Sequence, residues 1–193
     1  AAALREAIEA GTKVFKSHIQ VGEYDPRDRL LDPVWGLLAE SQVPTVIHCG
    51  GGPVPGTFTG PEPVAAVLEK FPTLPLIIAH MGMGEYSDFM DLAQKYENVY
   101  LDTTMAFTDF VEETMPFPPT ERGRLADLGD KVLLGTDFPN IPMSISASAA
   151  ATVRSGSAAA TVSASSRSKT ASSIASARSA ALAIFVSSSA SSV

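Results

Sequence analysis

His18, His48 and His80 are the only histidines in the chain, and each lies in or at the end of an apolar run. Lys16 precedes His18 by two positions, and Asp102 and Asp137 close two later runs. Imidazole nitrogen and carboxylate oxygen together suit Zn2+, Mn2+ or Fe2+. A catalytic metal with an open position brings the pKa of a water toward neutrality. A carboxylate touching that water can accept its proton, a task that fits Asp137. A second histidine can polarise a substrate or donate a proton to it.

Cost argues that these positions are not accidental. A charge or an imidazole in a buried strand is unfavourable by several kcal/mol unless it is paired, hydrogen-bonded or bound to a metal. One such residue usually reads as a satisfied core group. Here five successive apolar runs meet ionisable side chains at or near the same end, and parallel neighbours in one sheet would bring those ends to one rim.

The elements that must hold them alternate. Apolar runs read as strands at 14–19, 45–48, 76–80, 99–103 and 132–136, with starts 31, 31, 23 and 33 residues apart. That is the length of a strand, a helix and two connections. Their Val, Ile and Leu content suits strands buried on both faces. Helix signals fill the gaps. Asp32-Pro33 offers an N-cap and an N1 proline. Pro63 opens a segment with Val64, Val67, Leu68 and Phe71 on one face. Ser87 can cap a segment with Phe89, Leu92, Ala93 and Tyr96 on one face. Thr120 can cap a shorter one ending at Gly129. Links into strands are short, whereas Cys49–Gly60 and Met105–Pro119 after strands are long. A barrel with its site at the strand C-terminal face has that asymmetry. The expected fold is therefore α/β, a partial (β/α)8 barrel.

At these residues the chain resembles a known family. Val46-Ile47-His48-Cys49-Gly50, Ile78-Ala79-His80-Met81-Gly82 and Leu134-Gly135-Thr136-Asp137-Phe138-Pro139 resemble the amidohydrolase-2 branch of the amidohydrolase superfamily. Lys16 to Gln20, KSHIQ, resembles its strand-four segment, and the likeness spans roughly residues 4 to 142. The resemblance implies a distorted TIM barrel holding one or two divalent metals, Zn2+ first, with Mn2+ or Fe2+ as alternatives. It makes His48 the strand-five ligand, His80 a strand-six ligand or acid/base, and Asp137 the strand-eight ligand and proton acceptor. Metal-activated water would attack a carbonyl-like carbon of a small organic substrate. The branch also includes non-oxidative decarboxylases, which keeps that reaction as the alternative. The family often forms dimers, so a homodimer is an expectation. One departure stands out: the H-x-H pair of the family's first strand is absent here. Counting back from Asp137, the five strands match strands four to eight, and a full barrel takes about 250 residues. The expectation is a fragment of a longer gene product.

Lys16, His18 and Phe107 are expected to meet substrate. The resemblance also places Lys16 where some amidohydrolases carry a carbamylated lysine bridging two metals, a device this branch usually does not use. A Schiff base on Lys16 in a metal-free lyase is a separate alternative. An inactive, decayed barrel is a further alternative. Phe107, Phe110, Met115 and Phe117 either wall a pocket or form a small core beneath their loop. Asp102, Thr103 and Thr104 either contact substrate or bond to neighbouring strands. Gly50-Gly51-Gly52-Pro53 lacks the G-x-G-x-x-G spacing of a dinucleotide loop. Those glycines are expected to let backbone pass close to the site.

The composition bounds the rest. A net charge of −7 argues against a nucleic-acid partner. No apolar run is long enough for a membrane span. Cys49 stands alone, so no internal disulfide can form, which suits a reducing compartment and a cytoplasmic expectation. Two regions are expected: residues 1–143 as the barrel portion, and 144–193 as an Ala/Ser-rich tail. Of the tail's 50 residues, 18 are Ser and 15 Ala, and it has no acid and no proline, so no function is read from it. A disordered tail, a frameshifted end and a placeholder sequence all fit that composition. An artefact of the latter two kinds is favoured, because the break follows a strand that needs more barrel behind it.

Overall fold

The computed structural model describes residues 1–136 of the 193. Asp137 and the Ala/Ser-rich stretch from 144 lie outside the described residues.

Helix α1, Ala2–Glu9, leads into strand β1, Phe15–His18. A single turn, α2 (Ile19–Gly22), and helix α3 (Asp32–Glu40) precede β2, Thr45–His48. Helix α4 (Pro61–Lys70) precedes β3, Leu76–Ile78, and α5 (Tyr86–Lys95) precedes β4, Val99–Asp102. The short helices α6 (Asp109–Glu112) and α7 (Arg122–Asp127) lead to β5, Val132–Leu133. The strands pair in sequence order, β1-β2-β3-β4-β5, and every pair is parallel. An order that never reverses, with helices between successive strands, is the arc of a barrel; an open doubly wound sheet has a switch point in its order.

The sheet and the inner faces of α3, α4 and α5 share one core. Every residue of β2 is buried. Trp35 and Leu38 of α3, Val64 and Leu68 of α4, and Phe89 and Met90 of α5 are each at most 2% exposed. Burying each such side chain contributes roughly 1.5–3 kcal/mol. Trp35 also donates its indole N–H to the Pro26 carbonyl at 2.9 Å, which ties the loop after β1 to the core.

Three local expectations are corrected. Asp32 lies inside the first turn of α3, with Leu31 at the cap, because a short 3-10 turn at Arg29–Leu31 runs straight into the helix. Ser87 likewise lies inside α5, which starts one residue earlier at Tyr86. Strand β3 stops at Ile78, so His80 stands beyond the strand in a tight turn, Ala79–Gly82. The cause lies in that turn. Gly82 packs against Phe89 with a φ of +69, and Glu85 N–H bonds back to the Gly82 carbonyl at 2.9 Å to begin α5.

Candidate metal centre

His18 and His48 are register partners across the β1–β2 pair. In a parallel pair, side chains at matched positions point to one face of the sheet. Their rings therefore stack, with centroids 3.9 Å apart and planes 9° from parallel. His80 arrives from the turn after β3. Its ring stands 5.0 Å from that of His48, at 69° to it. All three histidines thus converge at the C-terminal rim of the sheet, as their positions in the apolar runs implied.

The backbone holds each ring by one nitrogen. His48 Nε2 lies 3.1 Å from the Gly52 carbonyl oxygen, and His80 Nδ1 lies 2.9 Å from that of Thr104. A carbonyl oxygen only accepts, so those nitrogens carry the protons. The lone pairs then sit on His48 Nδ1 and His80 Nε2. His18 differs. Its Nδ1 accepts the Val21 N–H at 3.3 Å, so the neutral ring carries its proton on Nε2. His18 Nε2–H is therefore a donor, where His48 and His80 each keep a lone pair.

The loop after β2 supports His48. Gly51 N–H donates to the Glu85 carboxylate at 2.8 Å, and Gly52 N–H donates to the Met83 carbonyl at 2.9 Å. A Cβ on Gly50 would stand 2.7 Å from the carbonyl carbon of Gly82, so the two loops pass backbone against backbone. The glycine-rich segment serves close approach, as read from the sequence. Glu85 was not singled out there, because a carboxylate just before a helix carries no mark of its distant partner.

Lys16 lies two residues before His18 on β1 and is exposed. Phe107 sits in the loop after β4, with its ring centroid 5.0 Å from that of buried Phe117. That contact supports a small core beneath the loop. Cys49 is wholly buried, and burial raises its pKa, so it packs as a neutral thiol.

Burial, and then the nearby His18, His80 and Lys16, lower the His48 pKa from 6.5 to about 4, against a small opposing effect of the Gly52 hydrogen bond. His18 is lowered too, by burial first and then by Lys16 and His80. His48 is therefore a neutral imidazole at neutral pH. The consequence for stability has a definite sign. Between pH 6.5 and about 4 the unfolded chain protonates at His48 and the folded chain does not. The metal-free protein should lose stability as pH falls through that window, by up to about 3 kcal/mol from this group. Urea unfolding at pH 7 and pH 4.5 measures it, and His48→Gln should remove that part of the loss.

Among the described residues, no group of three His, Cys, Asp or Glu side chains is placed to hold a metal ion. The donor chemistry still fits one in part. His48 and His80 each present a lone pair while the other ring nitrogen donates to a carbonyl, the usual arrangement for an imidazole ligand. The third expected ligand, Asp137, is outside the described residues.

Residues 1–162 match the amidohydrolase-2 family model, whose description is Amidohydrolase. The chain belongs to the amidohydrolase-2 family. The match runs past Met143 into the Ala/Ser-rich stretch. Among solved structures, an uncharacterized TIM-barrel protein from Bordetella bronchiseptica is similar, with a TM-score of 0.66 at 23% identity, over 78% of this chain and 53% of that one. A dihydroorotase from Campylobacter jejuni is more distant, with a TM-score of 0.49 at 17% identity, over 68% of this chain and 46% of that one. No curated protein matches. The Bordetella likeness shows the fold: this amidohydrolase-2 chain has the architecture of part of a TIM barrel. It spans about half the length of the solved structures it matches. Among the described residues no helix is long and apolar enough to cross a membrane.

Proposed function

We propose that this amidohydrolase-2 chain carries the strand-four to strand-eight side of a divalent-metal hydrolase site acting on a small organic substrate. The observation that carries the reading is the pair of imidazoles, His48 and His80, 5.0 Å apart, each fixed by a backbone carbonyl with its second nitrogen left as a lone pair. His48 Nδ1 and His80 Nε2 would hold the metal, Zn2+ in the first instance, with Asp137 as the third ligand. When bound, such an ion supplies Lewis acidity and a water acidic enough to react near neutral pH.

The chain's own residues do the rest. Asp137 accepts a proton and returns it to the leaving group. The depressed pKa of His48 keeps its lone pair available at neutral pH. His18 presents Nε2–H as a hydrogen-bond donor to a substrate oxygen, and Lys16 adds positive charge at the same rim. Decarboxylation would use the same residues and is told apart by release of CO2.

The test is metal removal from the natural full-length protein. Chelation should abolish turnover, and Zn2+ should restore it. Turnover that survives complete stripping, with borohydride trapping substrate on Lys16, would replace this reading with a Schiff-base lyase.

A further inference from the structure

Asp102 ends β4 and is buried. Its Oδ1 accepts two backbone N–H groups, from Thr104 at 2.9 Å and from His80 at 3.3 Å. Thr104 in turn offers its carbonyl to the His80 ring, whose Nδ1–H donates to it at 2.9 Å. One carboxylate oxygen therefore grips the main chain of His80 and also that of the residue orienting its ring.

His80 requires such a grip. It and the next residue, Met81, sit at φ +57 and +54, in the left-handed region that side-chain-bearing residues rarely adopt. Strained backbone of this kind persists only where the surroundings over-determine it, and it concentrates at functional sites.

The same three-residue stretch also braces β5. Thr103 N–H donates to the Leu133 carbonyl at 2.9 Å, and Thr103 Oγ1 accepts Gly135 N–H at 3.3 Å. Gly135 lies so close that a Cβ there would stand 1.9 Å from Thr104 Oγ1. Gly135 is two residues before Asp137 in the sequence.

The geometry points to Asp102 as the positioning residue for His80, acting through the Thr104 main chain and setting the Nδ1–H tautomer that puts the lone pair on Nε2. The inference rests on the functional reading above for its effect on turnover, but not for its effect on His80 geometry.

Three variants of the natural full-length protein test it. Asp102→Asn keeps an acceptor oxygen in place without the charge. Asp102→Glu keeps the charge but displaces it by one methylene. Asp102→Ala removes both. Crystal structures should show His80 unmoved in the Asn variant. In the Ala and Glu variants the ring should part from the Thr104 carbonyl. In turnover, kcat should fall about 10–100-fold in Ala and Glu with KM little changed, the loss typical of removing a residue that orients a ligand. The Asn variant should remain within a few-fold of the parent. Should Asp102→Ala fail to fold, the contrast between Asn and Glu decides alone. Full activity in Glu, a loss in Asn equal to that in Ala, or a His80 ring unmoved in both Ala and Glu would overturn the assignment. Failure of the metal-hydrolase reading would show separately, as an unsubstituted protein with neither metal nor turnover, while the crystal comparison would still report on Asp102.

Discussion

Replacing His48 by alanine in the natural full-length protein should strip both metal and turnover, whereas replacing His18 should leave metal content nearly intact. The two rings stack at 3.9 Å, so bulk proximity cannot separate them. Their hydrogen bonds can. His48 donates from Nε2 to Gly52 and keeps a lone pair on Nδ1, while His18 spends its Nδ1 lone pair on Val21 N–H. Loss of a residue that merely orients a ligand costs about 10–100-fold in metal affinity or activity, so loss of a ligand should exceed 100-fold. His18→Ala should instead raise KM several-fold through the missing donor. Metal analysis of the purified variants, beside steady-state kinetics, reads both effects. A His48→Ala protein that retains stoichiometric metal would remove His48 from the ligand set and the functional reading with it. A His18→Ala protein stripped of metal would mean that its ring turns over on binding.

The convergence of His18 and His48 was legible because it depends only on register. Two Val/Ile-rich parallel strands ending in histidine put the rings side by side once the strands pair, and the fold class followed from the same regular spacing. His80 was legible as a member of the site but not in its conformation. Leu76-Ile77-Ile78-Ala79-His80 reads as one strand, and nothing local to it announces a left-handed turn. The turn comes from Gly82 meeting Phe89 and from Asp102, 22 residues downstream, meeting the His80 amide. Tertiary contacts of that kind leave no periodic trace. The same holds for Glu85, which grips Gly51 from 34 residues away. Asp102 reads from sequence as a strand-end carboxylate, more readily bonded to neighbouring backbone than aimed at substrate, but which backbone it grips carries no local mark.

Gly82→Ala should be among the most destabilising single substitutions in the described region, although it adds only one methyl group. Two separate costs coincide there. The backbone sits at φ +69, where a Cβ costs about 1–2 kcal/mol. The added carbon would also stand 1.9 Å from Phe89 Cδ2 and 2.4 Å from Cγ. Phe89 is fully buried in α5, and overpacking against a buried ring costs typically about 1–3 kcal/mol. Together they predict a loss of about 2–5 kcal/mol, a large share of the 5–15 kcal/mol that holds a typical domain folded. Thermal unfolding should show a midpoint lowered by roughly 10 °C at this chain size. Gly11 is the control. It also has positive φ, +94, but nothing lies within 4 Å of a Cβ there, so Gly11→Ala should show the backbone cost alone. A second comparison isolates the collision: Phe89→Leu in the Gly82→Ala background should recover part of the loss, giving a favourable coupling energy in a double-mutant cycle. Equal effects of Gly82→Ala and Gly11→Ala would mean that the Phe89 contact carries no energy. Because His80 and Met81 reach their left-handed conformations in the same turn, the Gly82 variant should also shift the His80 ring, so its loss of turnover should exceed what the unfolded fraction explains.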